Sequence, residues 1–427
     1  MESIEHKSDK ILILLLALMP LALAAGPAII EMLSLITIVL FFIFRKKFLF
    51  DKREYLIFIL FFFLILSSLF SEFKIHSLQS SIFLIRIILL FYIFKLMFKT
   101  NTEELIKYTL LFLIITFAVL IFDIFFQYLF QYSFFGTEKI TDGRMSIHFR
   151  EESIIGAYLS KILPIFIGLW LYKFKSFQKK TNYIFFFISS IVFIGTLITN
   201  ERAASGLLIL FFLVLFLFSN LKFFKKILLI LLFGFSLSGI IYFNDSLKKR
   251  FITETIEEVF GKNDNFLSTD NIKLLEDTNS SKLAQKKLDK KIFFFSTAHE
   301  AHIRTALNMF YSNFILGVGP NNFRKLCSIE RYGIYPERGC STHPHHIFSQ
   351  VLAETGIIGI FFYIVTLVLI IFKLVKQFFF KNLVSHKLCL YSFYFVLILP
   401  ILPSGNIFSN WYLYSIFLPF FYLNFIK

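Results

Sequence analysis

Residues 55–70 read YLIFILFFFLILSSLF, sixteen positions with no charge and only Ser67 and Ser68 polar. An apolar stripe on one face would mark a helix packed on a soluble core. Here the apolar character runs all the way round, which calls for an apolar environment on every side. In hydrocarbon no water satisfies backbone N–H and C=O groups, so such a run must be helical. Crossing a bilayer takes about 20 mostly apolar residues. Eleven further runs of this kind follow the same reading, at 11–25, 28–44, 81–97, 105–130, 153–172, 183–199, 205–219, 227–243, 347–372, 388–402 and 411–426. The first two are joined only by Gly26 and Pro27, which predicts a tight helical hairpin. The 427 residues are 57% hydrophobic and 17% charged, with 63 phenylalanines, against about 45–50% and about 25% in soluble domains. That balance excludes a soluble enzyme, a disordered chain and a disulfide-stapled secreted module. The expected class is all-α, a polytopic integral membrane protein of about twelve transmembrane helices.

Lys and Arg in short loops set the direction of insertion. With the N-terminus cytoplasmic, the inside segments carry 22 basic residues and the short outside loops 5. Both termini are therefore expected in the cytoplasm, with helices 1–9 in residues 1–243, a large, partly helical outer loop at 244–346, and helices 10–12 in 347–427. Lys7 and Lys10 before an apolar run ending in Ala22-Leu23-Ala24 also fit a signal peptide; retention as a first span is the expectation. The net charge of +16 is largely these anchors, so no nucleic-acid partner is expected.

Polar chemistry gathers on the expected outer face. Seven of nine histidines fall there: His76, His148, His299, His302, His343, His345 and His346. Residues 244–291 are rich in Lys, Asp and Asn with little apolar periodicity, and read as a solvated segment. From 298 to 314 helical spacing returns, with Ile303, Leu307, Phe310 and Tyr311 on one face. Gly317-Val318-Gly319-Pro320-Asn321-Asn322 reads as a turn. Ser341-Thr342-His343-Pro344-His345-His346 leads into a helix with Gln350, Glu354 and Gly356; Thr342 or His343 fits its start and Pro344 its first turn, which puts His345 on the positive end of a helix dipole. His299-Glu300-Ala301-His302 is one residue short of HExxH, so no metal is expected. Cys327 and Cys340 are a disulfide candidate in an oxidising compartment. Arg202 in the short turn 199–203, Arg304 in the outer helix and Arg144 near Glu152 are candidate phosphate ligands. Arg86 and Lys161 lie within spans, nearer their outer ends, and call for a partner, an aqueous cavity or an anionic headgroup, or snorkel to the interface.

The run from His345-His346-Ile347-Phe348 through Leu352 and Glu354 to Gly356-Ile357-Ile358-Gly359 resembles the signature of the bacterial O-antigen ligase and polymerase superfamily. There it reads roughly His-Asn-x-x-Leu-x-x-Leu-x-Glu-x-Gly-x-x-Gly. His346 and Ser349 depart from it, at the Asn and a Leu. Arg202 before small residues, Arg304 before Gly317-Val318-Gly319 and Phe323, and Gly143-Arg144 with Phe149, Glu152 and Gly156 resemble further elements of that family. The resemblance implies a fold like other lipid-carrier glycosyltransferases, no metal or other cofactor, and an inner-membrane enzyme of lipopolysaccharide biosynthesis. It implies transfer of a glycan from undecaprenyl diphosphate to an acceptor hydroxyl, lipid A–core for a ligase, on the periplasmic face. His345, Arg304 and Arg202 would carry catalysis; Arg144, Glu152, Arg86, Lys161 and His346 would bind substrate. A polysaccharide polymerase of the same superfamily is the near alternative. A lipid-linked glycan transporter or flippase is the distant one, and would predict inverted repeats and midplane charges.

Overall fold

The structure is a computed structural model and describes residues 2–44, 55–135, 144–145, 154–174, 179–260, 297–333 and 339–425. Among the described residues the regular structure is helical, without strands. The first half holds α1 (Glu2–Ala17), α2 (Met19–Ala25), α3 (Pro27–Phe44), α4 (Tyr55–Leu69), α5 (Lys74–Ile82) and α6 (Ile85–Phe130). Then come α7 (Ile155–Lys173), α8 (Lys179–Ile198), α9 (Arg202–Phe218) and α10 (Phe223–Tyr242). A short α11 (Asp245–Lys248) passes through a π-helical turn, Lys249–Thr253, into α12 (Glu254–Phe260). The remainder is α13 (Thr297–Ser312), α14 (Phe323–Leu326), α15 (Ile347–Phe380), α16 (Ser385–Ile398) and α17 (Asn410–Phe425).

Several of these helices are apolar over a membrane's thickness, which fits a membrane protein. Fewer reach full length than the twelve apolar runs. Among the described residues five stretches, one of them α5 and α6 together, are long and apolar enough to cross alone, and the pair α1–α2, bent by 42°, makes a sixth if it acts as one span. The others are short: α4, α9, α16 and residues 183–198 of α8 are apolar but under 18 residues, and α17 has 16 residues. The runs at 81–97 and 105–130 merge into α6, interrupted only where Asn101 leaves helical geometry (φ −140°, ψ 41°).

Helices α6 and α7 form the centre. α6 packs on α1, α2, α3, α7, α8 and α17; α7 adds α9 and α16. Lipid is as apolar as Leu, so shape fit and hydrogen bonds, not the hydrophobic effect, hold such helices together. The bonds are present. Tyr158 donates to the carbonyl of Pro20 at 2.8 Å, Trp411 to that of Leu23 at 3.0 Å, and Ser34 and Tyr414 share a hydrogen bond at 2.7 Å. Each contributes on the order of 0.6–2 kcal/mol. The rim behaves oppositely: α10 buries no residue, and Phe223 and Phe235 are 78% and 80% exposed. That is where much of the phenylalanine goes, toward lipid.

The start of the long loop is not the open segment its composition predicts. Asn244 caps α11 by accepting from Leu247 N–H at 3.0 Å, and Leu247 is buried. The rest of the segment, 261–291, lies outside the described residues.

Candidate active site

Four histidines from two distant stretches converge. The ring of His345 lies 4.1 Å from that of His343, 5.3 Å from His302 and 5.8 Å from His299, centroid to centroid. α13 brings His299 and His302, three residues apart on one helical face; the segment before α15 brings the other two. That contact sets the buried face of α13. Ala301, His302, Thr305, Ala306, Met309 and Phe310 are buried, while Tyr311 is exposed. The expected stripe of Ile303, Leu307, Phe310 and Tyr311 is thus rotated, because the helix turns a polar residue toward the cluster. Arg304, on the same helix, is paired with Glu300 one turn back, at 2.8 Å.

The helix start also differs from expectation. α15 begins at Ile347, and His346 is its N-cap, accepting from Ser349 N–H at 3.3 Å through Nδ1. Thr342, His343 and Pro344 all lie before the helix. The cause is His345, which adopts a left-handed conformation (φ +54°) and cannot continue a right-handed turn. His345 therefore sits outside the cap, its backbone carbonyl accepting from Ser404 N–H at 2.9 Å. Its Nε2 is 2.9 Å from the Ser341 hydroxyl. His343 is fixed at both nitrogens, Nδ1 with the Thr342 hydroxyl at 2.9 Å and Nε2 with the Ser404 carbonyl at 3.0 Å. Ser341 follows Cys340, and Cys340 and Cys327 are joined in a disulfide with Cα atoms 4.8 Å apart.

Behind the cluster a second turn braces α15. The helix breaks at Gly356 (φ +61°, ψ −158°), and the Gly317-Val318-Gly319 turn docks into the break. Val318 N–H donates to Ala353 C=O at 2.9 Å, Gly319 N–H to Glu354 C=O at 3.1 Å, and Ile357 N–H to Phe314 C=O at 2.9 Å. The buried Glu354 carboxylate accepts from Phe323 N–H at 2.9 Å and from Gln350 at 3.0 Å. Gln350 also donates to Asn406 at 2.6 Å. Glu354 is thus a structural clasp between three segments.

A separate cluster surrounds the turn after α8. Glu201 is partly buried, in surroundings that include Lys161 and Arg144, and its carboxylate accepts the N–H groups of Gly156 and Ala157, the latter at 3.0 Å, capping α7. A Cβ on Gly156 would come within 2.6 Å of the Thr199 hydroxyl, so only glycine lets the turn approach. Met145 N–H donates to Thr199 C=O at 3.3 Å, keeping Arg144 beside this turn. Arg202 donates to the Thr255 hydroxyl at 3.2 Å, and Asn200 to that of Ser246 at 2.8 Å, so the first helices of the long loop cover it. Lys161 donates to Ala157 C=O at 2.9 Å and lies 4.9 Å from the centre of the Tyr412 ring. Arg86 is ion-paired with Glu31 and donates to Asn410 at 3.2 Å.

The uncharged segment 399–409 ties these groups to one end of the bundle. Ser404 holds His343 and His345, Asn406 holds Gln350, and Gly405 lies against Tyr412, which faces Lys161. The structure joins Arg304 to the histidine stretch and Arg144, Lys161 and Arg202 to the Glu201 turn. Glu152, with Phe149 and His148, lies outside the described residues. Among the described residues no group of three or more His, Cys, Asp or Glu is arranged to hold a metal ion. Glu201 and Ser404 were missed by sequence reasoning. Glu201 had a signal, an acid beside an arginine in a five-residue turn; Ser404 had none.

Burial, and then the neighbouring His343, His302 and His299, push the His345 imidazole down to about 3. Burial, outweighing the Ser404 carbonyl, pushes His343 down to about 4. Burial drives the Glu201 carboxyl up to about 7 against the two amide N–H groups, Lys161 and Arg144. The pair of clusters thus brings together a neutral imidazole within hydrogen-bond reach of a hydroxyl and, around the Glu201 turn, the cationic side chains of Arg144, Lys161 and Arg202.

Residues 184–364 match the family model described as O-antigen ligase. That interval runs from within α8 to within α15, past the Gly356 break, and contains both Arg202 and the histidine cluster. No curated protein matches the chain.

Proposed function

We propose, for a chain that belongs to the O-antigen ligase and polymerase superfamily, that it moves a glycan from a polyprenyl diphosphate carrier to an acceptor hydroxyl, lipid A–core, at the periplasmic face of the inner membrane. The observation that carries this reading is His345: neutral, backed by three other imidazoles, with a hydroxyl already 2.9 Å from its Nε2. An acceptor sugar hydroxyl replaces that of Ser341. As its oxygen bonds to the anomeric carbon, its proton passes to His345, and the C–O bond to the carrier breaks with its electron pair leaving on the diphosphate. Arg304 and Arg202 neutralise the charge that develops there. Arg144, Lys161, Arg86, Glu152 and His346 take part in holding the substrates. An apolar groove of about 540 Å³ between α6 and α8, lined by Phe117, Phe122, Phe126 and Ile191 among others, fits the polyprenyl tail.

The test is the glycan profile, by gel, of cells lacking the chain and complemented with wild type or His345→Ala. Loss of polymer on lipid A–core, with full-length polymer retained on the carrier, is expected from the variant. Lipid A–core bearing a single repeat would instead identify the polymerase. An unchanged profile with normal protein level would remove the assignment.

A further inference from the structure

A second polar cavity, of about 240 Å³, lies between α5, the start of α6, α14 and the segment before α17. Two guanidinium groups line it, Arg86 and Arg324, with the side-chain amides of Asn321, Asn406 and Asn410. None of its lining residues is acidic. Arg86 is held in place by Glu31 and Asn410 and lies over the Phe83 ring, 4.9 Å from its centre. Arg324 is exposed and forms no ion pair among the described residues; its charge is felt by His343. The cavity is smaller than the roughly 300–1,000 Å³ typical of drug-sized ligands. Guanidinium pairs select phosphate or carboxylate through bidentate hydrogen bonds, and amides add the donors and acceptors that hydroxyl groups require.

We propose that this cavity binds a phosphate-bearing group of about monosaccharide size, from a phosphorylated acceptor sugar or from an anionic phospholipid headgroup. The site is wired to the histidine cluster. Asn321 Oδ1 accepts from Asn406 at 2.9 Å, Asn406 Oδ1 accepts from Gln350 at 2.6 Å, and two residues before Asn406 the Ser404 N–H holds the His345 carbonyl. A ligand bonded to Asn321 and Asn406 stiffens the segment that fixes His345. That consequence rests on the transfer reading above; the binding itself does not.

The experiment is isothermal titration of the purified full chain in detergent with glucose 1-phosphate, with inorganic phosphate as competitor. In parallel, the chain is titrated with phosphatidylglycerol against phosphatidylcholine in nanodiscs. Saturable binding is expected in wild type and equally in His345→Ala, which separates this site from transfer. Arg324→Gln, at an exposed position, should keep the fold by circular dichroism and weaken binding by roughly tenfold or more, the loss of one charge-assisted hydrogen bond. Gln79→Glu, which places a carboxylate on the lining, should weaken it as well. Preference for glucose 1-phosphate identifies an acceptor sugar, and preference for phosphatidylglycerol identifies a headgroup. Absence of binding to both probes, or binding indifferent to Arg324→Gln in folded protein, would overturn the proposal.

Discussion

Gly317 and Gly356 meet backbone to backbone: a Cβ on either would lie 2.6 Å from the amide nitrogen of the other. Both have positive φ, +71° and +61°, where an L side chain is strained. The two demands coincide because the loop before α14 must enter the break in α15 to hydrogen-bond Ala353 and Glu354. Gly356→Ala and Gly317→Ala should each destabilise the protein by about 2 kcal/mol or more, read as a lower unfolding temperature in detergent. The double variant should lose less than the two singles together, because both disrupt one contact. Additive losses would show that the two glycines act separately.

The depressed proton affinity of His345 makes a pH prediction. An imidazole titrating near 6.5 would be only about 3% neutral at pH 5. His345, pushed down to about 3 by burial and by His343, His302 and His299, stays neutral there, so its protonation state does not change over this range. Transfer in reconstituted vesicles should therefore persist from pH 7 down to pH 5. A rate falling with an apparent pKa near 6.5 would assign the base elsewhere. Stability should follow the opposite course. His343 titrates near 4 in the folded protein and near 6.5 unfolded, so between those values the unfolded chain binds more protons. The contribution is full above pH 6.5 and is lost as pH falls toward 4. His343→Gln should flatten that slope in a thermal-unfolding series from pH 7 to 4.5.

The two levels of the structure were not equally readable from the chain. The apolar runs were, because every residue in a stretch such as 55–70 says the same thing. Their lengths as helices were less so: Asn101 bends a helix without ending it, and Leu18 lies at a 42° bend between α1 and α2. The spacing of His345 to Glu354 and Gly356 was readable. Its setting was not, since His299 and His302 reach it across more than 40 positions of sequence, and the left-handed turn that places it outside the helix is a tertiary choice. The buried face of α13 was misread for a related reason. An apolar stripe is a guide when a helix faces an apolar core throughout, and this one divides its buried face between the histidines and the apolar clusters of Met309 and Phe310.

Glu201 offers a test of the second cluster. Its carboxyl, raised to about 7 by burial, caps the first amides of α7 and sits beside Arg144 and Lys161. Glu201→Gln keeps one acceptor and the shape, and should leave the fold intact. Glu201→Ala leaves two amides uncapped and should cost about 1–2 kcal/mol. The folded carboxyl is raised above its unfolded value of 4.5, so its contribution is full below pH 4.5 and is lost as pH rises through 7. The pH dependence of unfolding between 5 and 8 should accordingly be shallower in Glu201→Gln. Equal slopes in the two proteins would place the titrating group elsewhere.

The disulfide between Cys327 and Cys340 closes a short loop whose last residue adjoins Ser341, the hydroxyl partner of His345. Cys327 is itself buried among Met309, Phe323, Leu326 and Tyr332, so one side of the bridge is anchored and the other carries Ser341. A bridge over a loop of this size stabilises by roughly 3 kcal/mol in the chain-entropy picture. Cys340→Ser keeps the buried Cys327 and removes only the less buried half of the bridge. It should lower the unfolding temperature and reduce transfer, and adding a reductant should change wild type in the same direction while leaving the variant unmoved. Ser341→Ala separates the two effects: it removes the hydroxyl without touching the bridge, so its stability should match wild type. If Cys340→Ser loses stability yet transfers at the wild-type rate, the bridge holds the loop but does not position Ser341 against His345.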